Sequence, residues 1–375
     1  MRVLSLQIRD FRSYARAEAG VGEGLTVVYG PNGAGKSNLL EALYFGCAGR
    51  SPRTRNDREL IRFGTQATRV VVRLLDGSEP HELSVGFASA AASGEPGRPV
   101  KRMACDGAPV ERLLDVESRP LLSVFLPERL ELLKGSPALR RAHLDQVIAA
   151  IWPARSATRG EYSRVLAQRN ALLARIRSGG ASQSTLTTWD RELAARALLL
   201  REDRAAAVAM LSEPFTSRAA QLGCSGEVTL EYRPRSSAGS EEEFLAELRE
   251  RLPRDLERGF SVHGPHRDEL AILRDRRELR VYGSQGEQRL ALLSLLLAER
   301  AVLAAERRRS PVMLLDDVMS ELDGDRRELL ARELRAGGQS VIATTDLAHV
   351  PGAGDGGVTR LRVSPGAVLQ EALAA

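Results

Sequence analysis

The densest group of residues able to do chemistry lies in VVYGPNGAGKSNLLEALYF, residues 27–45. Within it, Gly30-Pro31-Asn32-Gly33-Ala34-Gly35-Lys36-Ser37 has the G-x-x-x-x-G-K-S spacing of a phosphate-binding loop. An apolar strand, Leu25 to Tyr29, leads into the loop, and an apolar helix, Asn38 to Phe45, leads out of it. Glycines at these offsets let successive backbone N–H groups turn toward one anion, and the helix N-terminus adds partial positive charge. The spacing predicts a bound nucleoside triphosphate cradled by residues 30–38. Lys36 reaches the β- and γ-phosphates, and the Ser37 hydroxyl binds Mg²⁺. Only three lysines occur in the chain, which makes a chance lysine at this position a poor explanation.

A second piece of the same chemistry stands near the other end. PVMLLDDVMSELD places the apolar run Val312 to Leu315 before Asp316 and Asp317. A carboxylate closing a buried strand supplies the second protein contact that Mg²⁺ needs, which assigns Asp316 to the metal. Asp317, one residue on, is placed to orient an attacking water. Lys36 and Asp317 are therefore the expected catalytic pair.

The third piece is YGSQGEQRLALLSLLLAERAVL. Ser284 and Glu287 have capping-box spacing and start a long, almost wholly apolar helix. Capping does not explain Gly286, a poor residue for a helical first turn. It makes sense where a backbone must come close to something. Ser-x-Gly-Glu before a helix resembles the signature motif of ABC-type ATPases, in which the serine hydroxyl and glycine N–H bind the γ-phosphate of a nucleotide held by the other subunit. That resemblance implies a nucleotide contact from Ser284, Gly286 and Glu287, and a homodimer that forms on ATP. Ser320 to Asp323, SELD, resembles the loop that crosses such a dimer interface. Where those ATPases present a switch histidine, this chain has Thr344, Thr345 and Asp346, with His349 three residues on. An altered sensor and a short carboxylate at 317 imply slow hydrolysis, suited to a timed clamp.

The elements that must position these groups follow from pattern. Residues 1–118 read as strands around one helix, with RVLSLQIRDF, LTVVYG, TRVVVRLL and HELSVGFA alternating or β-branched. The Ala/Ser/Gly/Pro-rich stretch 89–99 reads as a hairpin tip. Helical spacing sets in near Leu121. Tyr162 to Ile176 and Leu186 to Leu200 form two amphipathic stripes separated by SGGASQST, which predicts an antiparallel arm of two helices, each roughly 20 residues and about 30 Å long. Strand texture returns at Gly226, a charged helix runs from Glu241 to Leu252, and the last hundred residues alternate helix and strand. The expected fold is α/β: an ABC-type P-loop ATPase head with an N-terminal β-rich subdomain and an inserted helical lobe. The head takes residues 1–118 and 262–375, the inserted lobe 119–261.

Composition is that of an ordinary globular protein, 43% hydrophobic and 27% charged. No apolar run approaches the ~20 residues of a membrane span, and Cys47, Cys105 and Cys224 lack metal spacing, so a cytoplasmic protein is expected. The net charge of +5 suits a polyanionic partner, and all but three of the 54 basic side chains are arginines. Aromatic residues make up only 4% of the chain, a poor supply for stacking single strands, which favours contacts to a duplex backbone or a junction.

Taken together, LQIRDFRSY, GPNGAGKSNLLEALYF, GRSPRTR, KGSPALRRAHLD, HGPHRDEL, YGSQGEQR and LLDDVMSELD, with an arm too short for a coiled coil, resemble the RecF family of bacterial recombination mediator ATPases. The resemblance implies an ATP-closed dimer on DNA at gaps and stalled forks, assisting RecO and RecR in loading recombinase. A transporter-type ATPase subunit and a small SMC-like protein share the head motifs and are the alternatives. Arg12 matches a position that contacts nucleotide in related heads, or is a plain strand-end arginine. Arg50, Arg53, Arg55 and Arg58 meet the DNA backbone or form a solvated basic loop. His263 and His266 in HGPHRD lack a third close ligand, which argues against a metal there.

Overall fold

The computed structural model describes residues 1–92 and 98–371; residues 93–97 of the expected hairpin tip lie outside them. In chain order, the first segment contains β1 (Arg2–Phe11), β2 (Tyr14–Gly20), β3 (Leu25–Tyr29), α1 (Lys36–Ala48), β4 (Ala67–Asp76), β5 (Glu79–Ala88), β6 (Val100–Cys105), β7 (Ala108–Pro109) and β8 (Leu122–Phe125). The middle carries α2 (Glu131–Lys134), α3 (Pro137–Ile151), α4 (Thr158–Arg177), α5 (Leu186–Gln221), β9 (Val228–Arg233), α6 (Glu241–Arg258), β10 (Glu269–Arg274), β11 (Arg277–Glu278), α7 (Leu279–Tyr282) and α8 (Gln285–Arg307). The last segment adds β12 (Val312–Asp316), α9 (Gly324–Ala336), β13 (Ser340–Thr344), β14 (Thr359–Ser364) and β15 (Ala367–Glu371). Two compact units result: Met1–Arg129 with Arg307–Ala375, and Leu130–Glu306.

The first unit holds two six-stranded sheets. One is antiparallel, in the order β2-β1-β4-β5-β6-β7; the other, in the order β15-β14-β3-β13-β12-β8, is parallel except at β15. Strict alternation of Thr68, Val70, Val72 and Leu74 with exposed or half-buried neighbours gives the first sheet one greasy face. The parallel strands are buried on both faces, as in VMLLD and SVIAT, where every residue is buried. Helix α1 lies in one core with Leu6, Ile8, Val70 and Val72 of the antiparallel sheet and Val28, Leu314 and Val341 of the parallel one. This explains why LLEALYFGCA is apolar all round. At Gly46 any side chain would strike Val72 and Val70, with a Cβ only 2.5 and 2.8 Å from their methyl groups.

The second unit contains the arm. Helices α4 and α5 pack together through Tyr162, Val165, Leu193, Ala197 and Leu200, joined in one core by Phe244 and Leu248 of α6. Only α4, at 20 residues, has the expected length; α5 has 36, on the order of 54 Å at 1.5 Å per residue. Its buried stripe continues past Leu200 through Ala207, Leu211, Phe215 and Ala219, and the helix runs through Pro214. Likewise α6 continues through Pro253 to Arg258.

Two further expectations are corrected. Leu122–Phe125, taken as the onset of helix, is a strand pairing parallel with β12. A short apolar run buried on both faces has no period to tell strand from helix. Residues 262–306, expected with the head, pack in the second unit, and residues 119–129 pack in the first.

Candidate nucleotide site and signature surface

Between β3 and α1 the chain makes the tight loop that the sequence implied. Gly33 and Gly35 have φ of 77° and 113°, values that side chains avoid, and Gly35 is the residue from which α1 starts. The Tyr14 hydroxyl donates to the Gly35 carbonyl at 3.0 Å and pins the loop to β2; burial raises the pKa of that hydroxyl well above the ordinary tyrosine value. A cleft of about 330 Å³ opens over the loop, lined by Asn32, Gly33, Gly35, Lys36, Ser37 and Asn38 on one side and Asp316 and Asp317 on the other. Thus the two distant motifs do converge, although β13 separates β12 from β3 in the sheet.

Lys36 is 8% exposed and donates to the carbonyls of Gly30 and Pro31 at 2.8 and 3.0 Å. Burial lowers its pKa, opposed by the carboxylates of Asp317 and Asp316. Asp317 has the left-handed φ of 50°, which costs about 1–2 kcal/mol in a non-glycine residue, and its buried Oδ1 has no hydrogen-bond partner. An orphaned carboxylate oxygen in a cleft that also holds the Ser37 hydroxyl and the Asp316 carboxylate is the hard-oxygen donor set that suits Mg²⁺ or a water beside it.

The basic residues divide. Arg12, also at left-handed φ, forks onto Glu41 with Nε and Nη2 at 2.9 and 2.8 Å. Arg53 lines the nucleotide cleft, reaching Glu41 and Asn38 at 3.4 Å. Arg50, Arg55 and Arg58 are exposed. Sequence reasoning missed Glu41, whose carboxylate is fully buried and also accepts from the Ser51 hydroxyl at 2.6 Å. The clue was available: it is the one acidic residue in an otherwise apolar helix.

Where a switch histidine was sought, the buried Thr344 hydroxyl donates to the Asp346 carbonyl at 3.0 Å. His349 sits in the following turn with its Nδ1 buried and unpartnered.

In the second unit, Ser284 and Glu287 form the expected reciprocal cap. The Ser284 N–H donates to the Glu287 carboxylate at 2.8 Å, and the Glu287 N–H to the Ser284 hydroxyl at 3.3 Å. The Glu287 carboxylate also binds Ser225 and Arg274; the backbone bond from Ser284, then that from the Ser225 hydroxyl, hold its pKa below the ordinary glutamate value. Ser284, Gln285 and Gly286 are all exposed, beside Val281 and Tyr282 at 61% and 62%. A Cβ built on Gly286 meets nothing within 4 Å, so nothing inside the chain asks for glycine there. Gly286→Ala should therefore raise the thermal midpoint, the helix gaining up to about 1 kcal/mol, while weakening ATP-dependent self-association about tenfold or more. Differential scanning fluorimetry and sedimentation velocity read the two effects; unimpaired association would remove Gly286 from any interface.

HGPHRD is structural. His263 bonds Glu247 of α6 at 2.5 Å, and His266 bonds the Tyr162 hydroxyl of α4 and the Ser261 carbonyl. Burial pushes His266 down to about 4, leaving a neutral imidazole whose Nδ1 accepts from tyrosine. Among the described residues no three or more histidine, cysteine, aspartate or glutamate side chains cluster as a metal site would need, here or elsewhere.

A phosphate loop on a parallel sheet, two carboxylates facing it and a serine-capped helix with an exposed glycine define an ATPase head of the ABC type. An AAA domain model matches residues 5–90. The chain is 34% identical over 357 residues to the DNA replication and repair protein RecF of Heliobacterium modesticaldum, covering 93% of each chain. It is 37% identical over 391 residues to the protein of the same name from Streptomyces avermitilis, covering 98% of this chain and 99% of the relative. This chain belongs to the RecF family. A solved structure of the recombination mediator protein RecF with ATP in the RecFOR pathway superposes with a TM-score of 0.84 at 26% identity, covering 99% of this chain and 97% of that one. An Smc head bound to the C-terminal winged-helix domain of ScpA, at 16% identity and a TM-score of 0.59, shares the fold.

Proposed function

We propose that this protein is an ATP-dependent DNA clamp of recombinational repair. ATP binding joins two copies across their signature surfaces, and slow hydrolysis releases them. Gly286 carries the reading: an exposed glycine in a helical first turn, free of internal contacts, fits a surface that closes on a phosphate held by a second copy. Membership of the RecF family supports the repair role, and RecO, RecR and DNA at gaps or forks are the partners it implies.

Within one copy, the loop N–H groups and Lys36 hold the triphosphate. Ser37 and Asp316 are the residues that would hold Mg²⁺, which neutralises charge on the β- and γ-phosphates when bound. Asp317 orients the attacking water through its free Oδ1. Arg53 lines the cleft and shares the Glu41 carboxylate with Arg12, which supports assigning both to nucleotide and leaves Arg50, Arg55 and Arg58 of that loop to DNA. A sensor position whose threonine is already bonded to its own turn supports slow turnover.

Ser284→Arg tests this reading. Its ATP affinity should stay within about twofold of wild type, while the variant remains monomeric with saturating non-hydrolysable nucleotide; loss of the cap costs only ~1 kcal/mol. A variant that dimerises like wild type, or a wild-type protein that stays monomeric, overturns it.

A further inference from the structure

The antiparallel sheet of the first unit has a second face, turned away from α1, and one row across it is composed unlike the others. The strand register sets Arg16 of β2 opposite Arg9 of β1, Arg9 opposite Arg69 of β4, Arg69 opposite Gly86 of β5, and Gly86 opposite Arg102 of β6. Directly opposed residues of antiparallel strands share a face, so four arginines and a glycine form a single line. All four arginines are exposed, with Arg9 at 68%, and among the described residues only Arg9 has a carboxylate partner, Asp10, at 4.0 Å.

Like charges directly opposed across strands destabilise a sheet. Elsewhere this same face avoids the problem: Arg73 is opposed by Glu82 and bonded to it at 3.5 Å, and Gln7 by Glu18 at 3.2 Å. The arginine row is therefore an internal liability that an external polyanion would relieve. Gly86 leaves a groove of about 500 Å³ between Arg69 and Arg102, lined also by Ser84 and Lys101. At ~4.8 Å per strand the row spans about 19 Å, enough to reach phosphates on both sides of a ~12 Å DNA major groove.

One more feature marks the same end of the sheet. Arg62-Phe63-Gly64-Thr65 is a closed turn, with the Thr65 N–H donating to the Arg62 carbonyl at 3.0 Å and Gly64 at φ 83°. Arg62 ties it to Asp10, the neighbour of Arg9, through side chain and backbone, both at 2.9 Å. On this fixed turn Phe63 is 99% exposed.

We infer that the outer face of this sheet, along Arg16, Arg9, Arg69 and Arg102 with Phe63 at its end, is a binding surface for the backbone of duplex DNA. The arginines take phosphates irrespective of sequence, and Phe63 supplies an apolar contact in the adjoining groove. The inference rests on the DNA-clamp reading and says which surface the clamp uses.

The test is fluorescence anisotropy of a labelled 30-bp duplex with protein and non-hydrolysable ATP, titrated at 50–250 mM salt. Each phosphate contact contributes about 0.9 to the slope of log K against log salt. The triple variant Arg9→Ala/Arg16→Ala/Arg69→Ala should lose about 3 from that slope and bind on the order of 100-fold more weakly near 150 mM salt. Its thermal midpoint should not fall, because opposed like charges have been removed. The corresponding triple lysine variant should keep the slope. Phe63→Ala should bind about tenfold more weakly with the slope unchanged. A triple alanine variant with the wild-type slope overturns the surface, and a Phe63→Ala affinity equal to wild type removes Phe63 from it. If wild type itself fails to bind the duplex, the clamp reading fails instead.

Discussion

Replacing Lys36 with Met weakens ATP binding by at least about 100-fold, the equivalent of two lost hydrogen bonds to a charged group at ~1.5–3 kcal/mol each. In the structure the ammonium group already sits inside the loop, held by two of the loop's own carbonyls. Those bonds hold the cation in place before the ligand arrives, so little side-chain entropy is lost when phosphate oxygens replace them. Burial works against the charged lysine, and Asp317 and Asp316 across the cleft work for it. A methionine fills the same space but leaves a polyanion facing two carboxylates with only backbone N–H groups in support. Isothermal titration calorimetry measures the loss. A Kd within about threefold of wild type would mean that the loop does not bind a triphosphate.

The largest expected loss of stability lies within the second unit. Asp268→Ala should destabilise the second unit by about 3–5 kcal/mol, because it strips one partner from a buried ionic cluster. Asp268 is 1% exposed and accepts from Arg204 at 3.1 Å, the Tyr232 hydroxyl at 2.5 Å and the Arg235 N–H at 2.8 Å. Arg204, itself 3% exposed, would keep only Asp145 and the Pro265 carbonyl. At roughly 2–4 °C per kcal/mol the thermal midpoint should drop on the order of 10 °C. Calorimetry showing a drop below about 2 °C would mean that water replaces the lost carboxylate and the cluster is not sealed. HGPHRD is thereby explained: His266 reaches α4, His263 reaches α6, and Asp268 reaches α5 and β9.

The contrast between these two sites shows what a sequence can disclose. Phosphate binding demands fixed types at fixed offsets, so residues 30–37 could be read directly, and the strand and helix around them followed from their apolar runs. Asp316 and Asp317 were legible because a buried strand that ends in two carboxylates is unusual. Arg53 and Glu41 were not, since their meaning lies in a contact made across the fold between a loop and the buried side of a helix. Arg12 was open to two readings, and the sequence held no sign of its fork onto Glu41. The row of arginines was equally invisible: it exists only in the strand register, which brings together positions as far apart in the chain as 9 and 102. The length of α5 was misjudged because its stripe passes through an alanine-rich stretch and the helix runs on through a proline. The strand at 122–125 was missed because four apolar residues carry no period.

The start of α8 has a consequence for how quickly a phosphate could be gripped and let go. Of the two reciprocal bonds there, the one made by the Ser284 hydroxyl is long, 3.3 Å, and the one made by its amide is short, 2.8 Å. The oxygen can therefore swivel toward an incoming anion at small cost while the amide keeps the turn latched. If the proposed contact forms, the hydroxyl reaches its phosphate by a single side-chain rotation, a nanosecond event, with no remodelling of the backbone, and hydrolysis alone sets how long the contact lasts.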